Sequence, residues 1–321
     1  MSLVPPASDL HSVIRGSVRR DEPLSRHTTL RIGGPADLFA RPADEEDLRE
    51  AAGWARGRGL AVHSLGLGSN LLVPDDGVRG LVLSLSPACV WVRFDGRLVE
   101  AGAGYPVMRL LNDAAERGLS GIEGLAGVPG TVGGAVAMNA GSPLGDTASI
   151  LRRARVLLPD GQVAVWSRHD LQFGYRSSRL QREGVVVLAA EFELTPADPE
   201  SIRRAVAENA VRRRQTQPIE LPNAGSIWVN PAGDHAGRLI EAAGCKGWRV
   251  GDAQVSPKHA NFIVNLGRAR AVDVIALMAR VRRAVGDAHG VRLEPELRWL
   301  LGQRELEALL DRAAAEPEGG R

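Results

Sequence analysis

The sequence predicts a mixed α+β and α/β fold in two units. Residues 30–65 alternate strand and helix patterns, and residues 226–300 do so again. Between them a glycine stands at every third position, from Gly121 through Gly124, Gly127 and Gly130 to Gly133. Alternating elements argue for sheets covered by helices. The glycine run argues for backbone that turns sharply or meets another group closely.

Residues 1–20 show no periodicity and read as a lead-in. A turn at Gly33–Pro35 precedes a strand at Ala36–Ala40. From Ala43 to Arg58 acidic residues come first and arginines last, with Leu48, Ala51, Ala52 and Ala55 at helical spacing and Gly59 behind them. Ala61–Leu65 is the next strand, followed by GLGSN at Gly66–Asn70. Short strands follow at Leu81–Leu85, Val90–Phe94 and Leu98–Ala101. Pro106 opens a helix with Val107, Leu110, Leu111, Ala114 and Ala115 on its apolar face. After the glycine run come strands at Arg155–Leu158, Val163–Trp166 and Val185–Leu194. Asp198–Pro199 then caps a helix reaching Arg214.

The second unit reads strand Ser226–Val229, helix Ala236–Ala243, strand Asn261–Leu266, helix Val272–His289 closed by Gly290, and strand Leu293–Leu300. From Arg304 the chain reads as a short helix and an acidic tail. The expected domains are a lead-in at 1–20, a first domain at 21–197 with subdomains 21–87 and 88–197, a second at 198–303, and a tail at 304–321.

Composition excludes several function classes. A formal net charge of +2 is too small for a nucleic-acid surface. No apolar run reaches the ~20 residues of a membrane span, and the first residues hold no signal-peptide core. A cytoplasmic protein with neither nucleic-acid nor membrane partner is expected. Cys89 and Cys245 are the only cysteines, and the histidines are scattered, so no disulfide framework or metal site is expected.

Several motifs carry chemistry. GLGSN follows a strand as a phosphate-cradling turn should, yet it lacks the G-x-G-x-x-G of a dinucleotide fold, and a connector reading stands beside the functional one. FGYRSSRL, residues 173–180, sets Arg176 and Arg179 beside Tyr175; it is either a solvated basic loop or an arginine held to receive a carboxylate. NAGSIWVNP, residues 223–231, has no nucleophile elbow, so Ser226 is a turn residue or a positioned proton donor. In LEPELRW, residues 293–299, Glu294 and Glu296 fall on one face of the expected strand, with Pro295 favouring an edge.

Together with LRIGGPADLF (30–39), GLGSNLLVPDDGVRG (66–80), GLAGVPGTVGGAVAMNAG (124–141) and AGRLIEAAGCKGWRVGDAQVSPKHANFIVN (236–265), these stretches run in one order from residue 30 to residue 302. In that order the chain resembles the UDP-N-acetylenolpyruvoylglucosamine reductases (UDP-N-acetylmuramate dehydrogenases), in their short class without an inserted tyrosine loop. The resemblance implies an FAD-binding domain of the vanillyl-alcohol-oxidase (PCMH) type and a C-terminal α/β substrate domain. It implies non-covalent FAD, NADPH as co-substrate, a nucleotide-sugar substrate and a monomer.

The resemblance also assigns residues. Arg176, Ser226 and Glu296 match the catalytic positions. Hydride passes from NADPH to flavin N5 and on to C3 of the enolpyruvyl ether, Ser226 delivers a proton to C2, and Arg176 with Glu296 engages the carboxylate. Cofactor contacts are implied at Arg31, Ile32 and Gly33, and at Gly66, Leu67, Gly68, Ser69, Asn70 and Leu71. Others are implied at Gly127, Val128, Pro129, Gly130, Gly133, Gly134, Ala135, Asn139 and Gly141. Substrate contacts are implied at Tyr175, Arg179, Asn230, Lys258 and His259. A side chain at Gly130 or Gly133 is then expected to weaken flavin binding before it weakens folding. One departure stands out: Val229 occupies a place where the family usually has lysine, so Arg213 or Arg214 is a candidate for the missing charge. That departure keeps a second reading open, a flavin- or nucleotide-sugar-binding protein with a decayed site.

Overall fold

Residues 7–20 are not a loose lead-in. Leu10, on helix α1 (Ala7–His11), and Ile14 and Val18 beyond it are all buried in one core. The strand Ser17–Pro23 lies at the edge of a four-stranded sheet, with Pro35–Arg41, Val78–Ser84 and Val62–Leu65 following in that order. Three apolar residues spaced four apart across a helix end and a strand carry too little periodicity to be legible. The computed structural model describes residues 7–86, 88–181 and 184–315, so residues 1–6 of the lead-in and 316–321 of the tail lie outside the described residues.

In the first unit, Asp44 is extended and accepts the Asp47 amide at 3.0 Å, which caps α2 (Glu45–Arg56). α2 carries the chain from Pro35–Arg41 to Val62–Leu65, but the two strands are not neighbours. Val78–Ser84 lies between them and pairs in parallel with Val62–Leu65. The second sheet has five strands, in the order Val163–Ser167, Leu151–Leu157, Val186–Glu193, Leu98–Gly102 and Val92–Asp95, every neighbouring pair antiparallel. α3 (Val107–Glu116) buries the five apolar residues read from the sequence. α4 (Val132–Met138) and α5 (Thr147–Ile150) follow. α6 (Pro199–Thr216) belongs to this unit through Arg213 and is tied to it by Asn209, whose side chain donates to the Ala126 carbonyl.

The second unit holds an antiparallel sheet in the order Asn223–Ser226, Phe262–Asn265, Ala253–Val255 and Arg249–Val250. Around it lie α7 (Ala236–Ala242), α8 (Ala271–His289) and α9 (Gln303–Ala315). α8 ends as read, with Gly290 left-handed at φ 68. The expected strand at Leu293–Leu300 shrinks to Arg298–Trp299, which pairs in parallel with Leu71–Leu72.

The units cut the chain differently from the sequence boundaries. Residues 23–36 and 68–78 fold with the second unit, and 198–213 with the first. Leu30, Ile32 and Leu72 are buried in the second unit's core. Asn265 Nδ2 donates to the Leu30 carbonyl at 3.0 Å, and the Asp75 carboxylate caps α8 by accepting the Ala271 and Val272 amides at 2.8 and 3.1 Å. Nothing in an apolar residue's identity says which of two cores it will join. No described helix is long and apolar enough to cross a membrane.

Candidate active site

The glycine run is not one loop. A 3₁₀ turn at Glu123–Leu125 is followed by Gly127 at φ 72, and Gly133 and Gly134 already lie inside α4. Gly127 lets an arginine lie across its backbone: a Cβ there would sit 2.5 Å from Arg213 Cδ. Gly66 abuts Thr131, where a Cβ would lie 2.6 Å from Oγ1. The first glycine of GLGSN and the glycine run therefore meet within the first unit. Val128 is half-buried, Pro129 and Gly134 are exposed, and Ala135 is buried.

Gly133 answers to packing instead. Its amide donates to the Ala103 carbonyl at 2.8 Å, and a Cβ would come within 2.9 Å of Ala103 Cβ. Gly133→Ala should therefore destabilise by about 1–3 kcal/mol, the usual size for overpacking. Thermal unfolding of the flavin-stripped protein reads this directly. An unchanged melting temperature together with lost flavin would restore the cofactor-first expectation for this residue.

Arg176 stands in a two-residue turn. Gly174 and Ser177 exchange amide-to-carbonyl hydrogen bonds at 3.0 and 3.2 Å, and Arg176 itself is left-handed at φ 55. Its Nη2 donates to the Gly141 carbonyl at 2.8 Å, and its guanidinium lies 5.0 Å from the ring of Tyr175, which is exposed. Arg179 lies over Trp166 at 4.3 Å from the ring centroid.

In the second unit Ser226 and Glu296 meet around one residue. The strand Asn223–Ser226 shifts register against Phe262–Asn265, with Gly225 at φ 75. Ile227 then donates its amide to the Asn261 carbonyl at 2.9 Å, and its own carbonyl accepts the Glu296 and Leu297 amides at 2.8 and 3.2 Å. Asn261 is buried and clamps Trp228 from both sides, Oδ1 accepting its amide at 2.9 Å and Nδ2 donating to its carbonyl at 2.8 Å. Asn70 joins this cluster: Nδ2 donates to the Glu296 carbonyl at 3.0 Å, and its carbonyl accepts the Arg298 amide at 3.2 Å. Residues 294–297 bond to 227–229 around a single antiparallel bridge between Trp228 and Pro295, so Glu294 and Glu296 lie outside the short strand Arg298–Trp299. Glu294 is exposed beside Arg292.

The remaining expected residues scatter in role. His259 Nδ1 accepts the Asn261 amide at 3.2 Å, so its proton sits on Nε2; burial, then nearby Lys246, pushes its pKa down and keeps the ring neutral. Lys258 Nζ donates to the Arg214 carbonyl at 2.7 Å and lies 3.6 Å from Glu220. Asn230 Oδ1 accepts the Ala236 amide at the start of α7. Arg31 is exposed and left-handed at φ 57, whereas the Ile32 side chain is core. Gly33, Ser69 and Leu71 are half-buried, Gly68 is buried and Leu67 is exposed.

Comparison with known proteins adds the decisive observation. An FAD binding domain model matches residues 36–167, and the model of the UDP-N-acetylenolpyruvoylglucosamine reductase C-terminal domain matches residues 217–300. The chain is 49% identical over 92% of its length to UDP-N-acetylenolpyruvoylglucosamine reductase 2 of Symbiobacterium thermophilum, covering 96% of that protein. It belongs to the UDP-N-acetylenolpyruvoylglucosamine reductase family. The reductase of Moorella thermoacetica is 48% identical over 92% of this chain and 98% of its own. The crystal structure of the Thermus caldophilus reductase superposes with a TM-score of 0.75 at 39% identity, over 89% of this chain and 99% of that one.

Each unit of this reductase-family chain holds groups whose chemistry fits a flavin nucleotide. Thr131 Oγ1, beside Gly66, and Asn70 Oδ1 are buried and make no hydrogen bond among the described residues. The threonine hydroxyl can donate or accept a hydrogen bond, and the amide oxygen can accept one. Arg213 and Arg298 are half-buried cations with no carboxylate paired to them among the described residues, and burial lowers the pKa of both. Thr131 and Arg298 are not among the residues expected from the sequence. Thr131 lies inside GVPGTVGG and Arg298 two residues after Glu296, so position within the motifs was the available signal.

Proposed function

We propose that this chain binds FAD non-covalently and uses NADPH to reduce UDP-N-acetylglucosamine enolpyruvate to UDP-N-acetylmuramate, a step of peptidoglycan precursor synthesis. One observation carries the reading: a chain 49% identical to a reductase of that name over 92% of its length holds Ser226 next to Ile227 and Glu296 on the Ile227 carbonyl.

Bound FAD supplies hydride transfer, from NADPH to C3 of the enolpyruvyl ether. The chain's own residues supply charge, position and a proton. Arg176, its guanidinium oriented by the Gly141 carbonyl, engages the substrate carboxylate as negative charge develops there. Glu296, its backbone fixed by Ile227 and Asn70, acts with Arg176 on the enol-like intermediate. Ser226 delivers the proton to C2. Thr131 Oγ1 and Asn70 Oδ1 would hold FAD, and the half-buried Arg213 and Arg298 would supply positive charge where Val229 carries none. A monomer in the cytoplasm goes with this reading.

The purified protein should be yellow and should oxidise NADPH only when the enolpyruvyl nucleotide sugar is added. A protein that takes up no FAD on reconstitution would end the reading. Binding of flavin and nucleotide sugar without turnover would support the decayed-site alternative.

A further inference from the structure

Asn139, expected among the cofactor contacts, has its whole side chain engaged inside the first unit. It is only 4% exposed. Nδ2 donates to the Gly174 carbonyl at 3.0 Å and to Asp146 Oδ2 at 3.1 Å, and Oδ1 accepts the Ala148 amide at 2.9 Å. Both donor hydrogens and the acceptor are therefore used by the protein. The three partners lie on two other segments, the turn carrying Arg176 and the start of α5.

The backbone of the same residue faces Arg176. Asn139 ends α4 in the left-handed region at φ 42 and ψ 54, and its carbonyl lies 3.5 Å from Arg176 Nη1. The Gly141 carbonyl, two residues on, accepts Nη2 at 2.8 Å. Arg176 is left-handed too, and Gln181 Nε2 bridges its carbonyl at 3.1 Å to that of Ala137 at 2.9 Å. Non-glycine residues in this region cost on the order of 1 kcal/mol or more each, and persist only where the surroundings over-determine them. The Asn139 amide supplies that determination for both.

We infer that Asn139 is a positioning residue for Arg176. Its amide pins the Gly174–Ser177 turn to the end of α4, and its left-handed backbone presents the carbonyls that aim the guanidinium. The inference rests on the role proposed above for Arg176. Asn139→Asp keeps the shape and tolerates the left-handed backbone. It loses the donor to Gly174 and sets a carboxylate against Asp146.

Stopped-flow absorbance separates the two halves of turnover. With Asn139→Asp, bleaching of the flavin band by NADPH should change less than about twofold, while its return on adding the enolpyruvyl substrate should slow by roughly 10- to 100-fold. The same substitution in an Arg176→Ala background should add less than about twofold, because residues acting through one another are not additive. If Asn139→Asp does not fold, Asn139→Gly removes the amide and keeps the left-handed backbone. An undiminished effect in the Arg176→Ala background, or flavin loss as the first consequence, would overturn the inference. An Arg176→Ala protein with an unchanged substrate-dependent rate would instead overturn the reading of Arg176.

Discussion

Ser226→Ala should leave bleaching of bound flavin by NADPH intact and slow the substrate-dependent step by about two orders of magnitude or more, the range over which a positioned proton donor acts. The expectation is specific because the surrounding backbone does not depend on the serine side chain. Ile227 is held by Asn261, Glu296 and Leu297, and Trp228 by both ends of the Asn261 amide. The Ser226 hydroxyl makes no hydrogen bond to the described residues, so its removal breaks nothing that holds the segment. The loss should fall on kcat and kcat/KM together, with substrate affinity nearly unchanged, as for an interaction made only in the transition state. A variant turning over at the parent rate would remove Ser226 from the chemistry and leave its position beside Gly225 as a turn requirement.

What the sequence made legible follows the strength of local signals. The start of α2 was readable because acidic residues open it and arginines close it, and the end of α8 because Gly290 follows its last apolar residues. The strand expected at Leu293–Leu300 was not readable as it stands. Glu294 and Glu296 bond to residues 227–229, nearly seventy positions away, and no local pattern encodes that pairing. The same holds for the unit boundaries, where Leu30 and Leu72 join a core formed by distant residues. Among the expected site residues, Arg176, Ser226 and Glu296 stood out by residue type and motif. The unpartnered Oγ1 of Thr131 and the complete set of hydrogen bonds on the Asn139 side chain depend on the fold around them and cannot be read from residue type. A third-position glycine period likewise merged positions that answer to different neighbours, Arg213 at Gly127 and Ala103 at Gly133.

A chain ending at Gly302 should lose most of the second unit's stability, although residues 304–321 read as a tail and the matched C-terminal domain stops at residue 300. α9 packs on α8, with Leu306 at 0% and Leu310 at 1% exposure, and burial of each side chain contributes about 1.5–3 kcal/mol. A charged contact adds a loss of similar size. Arg282 on α8 has 9% of its side chain exposed and donates two parallel hydrogen bonds to Glu307 of α9, at 2.9 and 3.0 Å. Removing α9 takes away both carboxylates beside that cation, Glu307 and Asp311, and breaking a buried pair from one side costs up to about 3–5 kcal/mol. Set against the ~5–15 kcal/mol that holds a domain together, the loss is of the same order as the whole. It also reaches the Ser226 segment, because the Arg282 guanidinium lies 5.3 Å from the ring of Trp228. Glu307→Gln separates the two contributions, since it keeps the apolar contacts of α9 and removes only the charge. Thermal unfolding should place Glu307→Gln between the parent and the truncated chain. A truncated chain melting within a degree or two of the parent would show that α9 covers a core that is already closed without it.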